Sequence, residues 1–381
     1  MKKLIKKVTT TVLIAAMAMG IGMPAFAEEK IVTSPEDVFN AKEISFCEQI
    51  FDNLETSIPE EAKVEYYKDI LELQSKGFTA NEMITLDTDI RQVANLIEDL
   101  DMDTAEIENL KNGFLTSRPT DPEILIANSH PLSYEEVGLV APETETADIA
   151  RAATFVEKHF SLFTDPTLNK FYEQTGYVNL GNTYATSKVV DGKIAYTRPY
   201  VIFGGHGSTG SIDTGLVWYQ EHNKWMLFMN GTPGWYMGSS YYSNNGDMDK
   251  TIGVTNGSDA YLDMKCSTNT VHIIWRNPDT WKIMDEQALY LGSGFNTTSS
   301  IELVRECTLA QGVSGSYLKN VAWRNHYLYS TEKTVKAQKS FFKSSRNGFS
   351  TYNGNYLTRG TGSGNITNMN YYGETMNLSV S

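Results

Sequence analysis

The sequence predicts a two-part α+β chain: a small α-helical bundle followed by an antiparallel β-sandwich of jelly-roll type. Apolar residues recur at helical spacing up to about residue 118, and from Gly176 onward they alternate with a period of two. Charge divides the chain in the same way. Of the net −14 over 381 residues, residues 28–165 carry −21 and residues 166–381 carry +3. A polyanionic front half excludes charge-driven binding to nucleic acid or to an anionic membrane.

The first 27 residues read as an export signal. Lys2, Lys3, Lys6 and Lys7 precede an apolar run from Val12 to Met23, and Ala25-Phe26-Ala27 is a small-x-small cleavage site. The run is short for a membrane span, which needs about 20 apolar residues, and no lipobox cysteine or C-terminal anchor pattern is seen. The expectation is a secreted, extracellular protein of Gram-positive type with no membrane anchor after cleavage.

Residues 28–118 form the expected acidic bundle. Ser34-Pro35-Glu36-Asp37 has the form of a helix start, and Phe46, Cys47, Ile50, Phe51 and Leu54 follow at helical spacing. A second helix enters through Pro59 and closes near Gly77. Thr79-Ala80-Asn81-Glu82 is a capping box, and Leu86, Ile90, Val93, Ile97 and Leu100 keep one face apolar. A shorter helix over Thr104 to Leu115 is interrupted by Gly113. Residues 119–165 hold Pro119, Pro122, Pro131 and Pro142 and read as a linker, ending in a bracing helix over about Ala147 to Phe163.

Residues 166–381 read as the sandwich. In Ile212 to Tyr219, alternation puts Ile212, Leu216 and Trp218 on one face and Asp213, Gly215, Val217 and Tyr219 on the other. Lys224 to Met229 is its hairpin partner, Tyr261 to Cys266 pairs with Val271 to Arg276, and Ile301 to Cys307 and Val321 to Tyr329 add strands. Phe341 to Ser363 reads as a long hairpin or a surface loop. Cys266 and Cys307 are candidates for a disulfide, the alternative being two buried thiols.

No cofactor is implied. The six histidines lack metal-ligand spacing, and Gly204-Gly205-His206-Gly207 lacks the Lys and Ser/Thr of a phosphate loop and reads as a tight turn. Asp99, Asp101 and Asp103 lack the glycine and terminal Glu of a calcium loop, and the Asx-rich turn Asn244 to Asp249 needs no metal.

The series Ile212 to Val217, an aromatic strand to Trp235, Tyr261 to Arg276 and Ser300 to Glu306 resembles the order of elements in the glutamic peptidases (eqolisins) over about residues 195–330. The pattern is also similar to uncharacterised secreted proteins of the YrpD type. The first resemblance implies a concanavalin-like sandwich in which a Gln-Thr-Gly strand carries a catalytic glutamine and a second strand carries a catalytic glutamate. Asp213 stands at the glutamine's place, and Glu302, with Glu306 as substitute, at the glutamate's. An ionised aspartate cannot donate to an oxyanion, so this chemistry would need acid, with one proton shared between the carboxyls.

Two functions follow. The first is a non-enzymatic sandwich that binds an extracellular glycan, cell-wall polymer or other cell-surface partner. Tyr219, Trp235, Tyr236, Tyr241 and Tyr242 would stack on sugar, with Asn244, Asn245 and Asp247 nearby. The alternative is an acid-active endopeptidase using Asp213 and Glu302, with the acidic half as a pro-segment released on protonation. The ligand and the oligomeric state are left open.

Overall fold

The structure is a computed structural model that describes residues 34–139, 156–168, 170–190, 192–231, 234–297, 300–343, 347–353, 356–359, 364–367 and 370–380. The signal-like segment lies outside these residues. Among them, no helix is long and apolar enough to cross a membrane.

Six helices open the described chain: α1 (Ala41–Phe51), α2 (Lys63–Ser75), α3 (Ala80–Leu86), α4 (Asp89–Leu100), α5 (Thr104–Thr116) and α6 (Pro122–Asn128). Ser34 starts only a single 3-10 turn, and α1 begins afresh at Asn40, whose side chain accepts from Lys42 N and Glu43 N. Thr79 with Glu82 and Asp103 with Glu106 form reciprocal capping boxes, each satisfying otherwise orphaned helix N–H groups.

Strands follow: β1 (Val156–Phe163), β2 (Phe171–Asn179), β3 (Asn182–Tyr184), β4 (Ser187–Val190), β5 (Lys193–Tyr196), β6 (Arg198–Gly207), β7 (Gly210–Tyr219), β8 (Lys224–Gly231) and β9 (Gly234–Met237). After the short helix α7 (Ser239–Ser243) come β10 (Asp259–Ser267), β11 (Thr270–Arg276), β12 (Ile283–Tyr290), β13 (Glu302–Gly312), β14 (Tyr317–Ser330) and β15 (Thr334–Lys336). The last are β16 (Gly348–Asn353), β17 (Tyr356–Arg359), β18 (Gly364–Thr367) and β19 (Glu374–Ser379).

An eight-stranded antiparallel sheet runs β17-β16-β1-β13-β6-β7-β8-β9. A nine-stranded one runs β12-β11-β10-β2-β14-β19-β18, with β3 and β15 also on β14. One buried core lies between them, holding Phe203, Trp218 and Leu303 of the first sheet with Met264, Trp275 and Trp323 of the second. The expected hairpins form in the expected register, Tyr261 opposite Arg276 and Cys266 opposite Val271. Strand β16 also pairs antiparallel with β17, Ser350 opposite Arg359 and Asn353 opposite Tyr356.

Further expectations change. Over its described part, the pattern read as a bracing helix is strand β1, because Phe160 and Leu162 enter the inter-sheet core while Glu157, His159 and Ser161 alternate with them. The Gly204–Gly207 stretch is the end of β6, not a turn; the turn is at Ser208 and Thr209. Cys266 and Cys307 are free buried thiols, as is Cys47, with Cys266 in the nine-stranded sheet and Cys307 in the eight-stranded one.

The bundle docks on the outer face of the nine-stranded sheet, where Tyr177, Tyr261 and Trp281 join its core. Gln92 Nε2 donates to Tyr261 OH at 2.9 Å, and Lys265 Nζ donates to Thr88 Oγ1 at 3.1 Å. Asp99 receives Tyr327, Tyr372 and Lys336. This placement puts the bundle on the sheet that does not carry Asp213, so its docking contacts are not a plug over that residue. Gly113 does not interrupt α5; it lets the helix approach the β11–β12 loop. A Cβ there would lie 2.4 Å from Thr280 O.

Alanine normally stabilises a helix over glycine by up to about 1 kcal/mol. Gly113→Ala is expected to do the reverse, lowering the unfolding free energy by about 1–3 kcal/mol in urea titrations; a gain in stability would contradict the close seating of α5. Alkylation under denaturing, non-reducing conditions is expected to modify all three cysteines, read by mass; a single modified thiol would establish a bridge.

Candidate functional site

Period-two alternation fixes what the eight-stranded sheet shows on its outer side. With Ile212, Leu216 and Trp218 in the inter-sheet core, Asp213 must face out. The same rule turns out Glu157, His159 and Ser161 from β1, Glu302, Glu306 and Thr308 from β13, and His206 from β6. Part of this face is covered by the strap 131–139, whose Leu132, Val137 and Leu139 pack on Tyr200, Val217, Phe228 and Trp235. Leu132 N bonds Trp235 O at 2.7 Å, and Val137 O accepts from Arg198 Nε at 3.0 Å.

The strap decides the fate of the expected aromatic platform. Tyr219, Trp235 and Tyr241 belong to this covered apolar layer, and Tyr236 lies in the inter-sheet core; all four are buried. Tyr242 is partly buried, its OH donating to His130 O at 2.8 Å. The platform is therefore packing. Tyr219 illustrates the cause, with the Arg198 guanidinium 4.2 Å from its ring centre. In the adjoining turn, Asn244 Nδ2 donates to Ser240 O and Asp247 pairs with Lys250 at 2.8 Å.

Outside the strap the face is largely polar, Val304 apart, and Ser161, Glu302 and Thr308 on it are buried. Glu306 lies opposite Ser161, and Thr308 opposite His159. His159 Nδ1 stands 2.7 Å from Glu306 Oε1 and its Nε2 3.3 Å from Glu157 Oε2. The Ser161 and Thr308 hydroxyls both donate to Glu306. Burial opposes charge on the His159 ring, but Glu306 and Glu157 outweigh it and lift its pKa to about 10. Burial also works against charge on Glu306, and His159 with the two hydroxyls overcomes it, so Glu306 titrates below the usual carboxylate range. The pair is an imidazolium and a carboxylate at neutral pH. Glu302, two register steps from Val304 on the other side, meets Lys343 at 3.1 Å and His206 at 3.4 Å.

Asp213 sits between these two glutamates. It is opposite Gly204, which is opposite Val304, so Glu302 and Glu306 are each two strands and two residues away, about 12 Å between Cα atoms by sheet spacings. Its carboxyl leans over Gly204 toward β13, since a Cβ at Gly204 would lie 3.2 Å from Asp213 Oδ1. Burial, then the negative field of Glu306, pushes the Asp213 pKa up to about 6 against the pull of His206 and His159. All three carboxylates expected from the sequence thus share one face, and Glu306 rather than Glu302 dominates the field at Asp213.

Sequence reasoning missed His159 and Ser161, because the β1 stretch was read as helix, and Thr308, because the strand from Ile301 was ended at Cys307. The alternation of Glu157, His159 and Ser161 with Phe160 and Leu162 was the available signal. It also missed Gln174. The tripeptide Gln174-Thr175-Gly176 has literally the Gln-Thr-Gly form, but Gln174 faces the core, 1% exposed. Its Nε2 donates to Gly204 O at 3.1 Å and Val304 O at 3.0 Å, and its Oε1 accepts from His326 at 3.2 Å. The amide thus ties down the floor beneath Asp213. Among the described residues, no group of three or more His, Cys, Asp or Glu is arranged to hold a metal ion.

No family model matches the chain, and no curated protein matches it. Among solved structures it is similar to the alginate lyase from Klebsiella pneumoniae, at 10% identity and a TM-score of 0.26, over 49% of this chain and 58% of that one. It is similar also to a functionally unknown protein from Saccharomyces cerevisiae, at 14% identity and TM-score 0.22, over 40% and 66% of the two chains. A third is the CBM2 module of the Lactobacillus casei BL23 phage J-1 evolved Dit, at 9% identity and TM-score 0.23, over 63% and 68%. The matched region spans little more than half the length of the alginate lyase.

Because folding raises the Asp213 pKa, the neutral carboxyl's contribution to stability is complete below about pH 4 and is lost as pH rises through about 6. Asp213→Asn is therefore expected to gain on the native chain between about pH 4 and pH 8, by up to about 3 kcal/mol in paired denaturation curves. A difference independent of pH would show that Asp213 titrates normally.

Proposed function

We propose that the chain is an exported protein whose strand-rich part is a concanavalin-like β-sandwich of jelly-roll type, and that it binds an extracellular glycan or cell-surface polymer without cleaving it. The binding surface is the polar strip on the outer face of the eight-stranded sheet. What carries the reading is that strip itself: carboxylates, imidazoles and hydroxyls from β1, β13, β6 and β7 on one face beside the strap. Hydroxyl-rich ligands suit such a mixture, since each hydroxyl both donates and accepts. Recognition would run through hydrogen bonds, the aromatic rings being occupied in packing.

Glu306 supports binding over turnover. Three donors already engage its two oxygens and hold it ionised, which makes it a poor proton acceptor. The test is a glycan array and a cell-wall pull-down with the full chain. Saturable binding is expected, weakened about tenfold or more by Asp213→Ala; no binding above an unrelated sandwich would overturn the proposal.

Asp213 itself favours a second reading, an acid-active endopeptidase resembling the glutamic peptidases. With a pKa of about 6, the group carries a proton in mild acid, which removes the objection that an aspartate cannot donate to an oxyanion. Glu302 would then activate water. Casein digestion from pH 2 to 7 is expected to peak below pH 6 and to be lost in Asp213→Ala and in Glu302→Gln. Absence of acid proteolysis, or activity indifferent to both substitutions, removes this reading.

A further inference from the structure

A cavity lies on the nine-stranded sheet, at the seam between the bundle and β14–β15. It measures about 480 Å³ and is walled by α2 and α4, with Tyr327, Thr334 and Lys336 on the strand side. Helical spacing places Glu65, Asp69 and Glu72 along one face of α2, so the cavity would be a strongly acidic cluster but for the cations among them. Four carboxylates from the two helices face Lys68, Arg91 and Lys336. That near balance suits neither a polycation nor a phosphorylated anion.

Arg91 supplies an independent observation. It is 4% exposed and held by the Tyr66 ring 4.1 Å beneath it and by Ala62 O at 3.4 Å. Its Nε has no hydrogen-bond partner and stands 3.8 Å from Asp69 Oδ2, beyond a direct hydrogen bond. Across the cavity, the Thr334 hydroxyl is also without a partner. Buried polar groups are normally satisfied, so an exception in a cavity wall points to a missing partner. Burial also pushes the Asp69 carboxyl up to about 7 against the pull of Arg91, so near neutral pH it can donate as well as accept.

We infer that this seam cavity is a binding site for a neutral polyhydroxylated ligand, a short saccharide segment, held between the Arg91–Asp69 pair on one wall and Thr334 on the other. A hydroxyl can accept from the guanidinium and donate to the carboxylate, which closes a gap too wide for the pair alone. The site depends on the docked bundle, because its two walls come from different halves of the chain. It stands independently of the polar strip on the opposite sheet.

Isothermal titration of the full chain with cellotetraose, maltotetraose and chitotetraose tests it. Saturable binding to at least one is expected, weakened about tenfold or more by Thr334→Val and by Asp69→Asn and retained in Thr334→Ser. No binding to any of the three, or binding indifferent to Thr334→Val and Asp69→Asn, overturns the inference. Binding lost only in Asp213→Asn would also overturn it, and would place the saccharide on the polar strip.

Discussion

Two stacked sheets have four faces, and packing them together buries only two. The organisation of this chain follows from how the other two are covered. Tyr177 and Tyr261 would leave large rings in water on the outer side of the nine-stranded sheet, and the helical bundle covers them. Tyr200, Val217, Phe228 and Trp235 would do the same on the eight-stranded sheet, and the strap at Leu132 to Leu139 covers those. What remains on the eight-stranded sheet, over β1, β13 and part of β6 and β7, is largely polar. The candidate site is the residue of that covering, and its composition follows from the period of the strands.

Within the strip, charge compensation sets the chemistry. Glu306 stays ionised because His159 and two hydroxyls hold it, and His159 stays protonated because Glu306 and Glu157 hold it. Burial, and after it the fixed negative charge of Glu306, then makes ionisation of Asp213 costly. Gly204 provides the space into which Asp213 leans, and Gln174 fixes Gly204 from inside the core. A core amide on one sheet thereby shapes a surface site on the other.

Much of this was legible beforehand. The capping box at Thr79, the hairpins at 212–229 and 261–276, and the common face of Asp213, Gly215, Val217 and Tyr219 all read directly from local pattern, because caps and alternation act within a few residues. What escaped depended on distant partners. Whether Tyr219 or Trp235 is a platform or packing turns on a strap about 90 residues upstream. The stretch at β1 carries helix-compatible residues such as Glu157 and Lys158, and only its pairing with β13 and β16 makes it a strand. Gln174 gives no sign in the sequence that its amide is bound to two backbone carbonyls in the core.

The central claim is that Asp213 keeps its proton into mild acid beside an ionised Glu306. Carbon-13 NMR of the side-chain carboxyls, assigned through Asp213→Asn and Glu306→Gln, measures it directly. The account predicts a midpoint near 6 for Asp213 and a Glu306 resonance that titrates below the usual carboxylate range. Asp213 titrating at the ordinary aspartate value near 4, with Glu306 titrating normally, would contradict it.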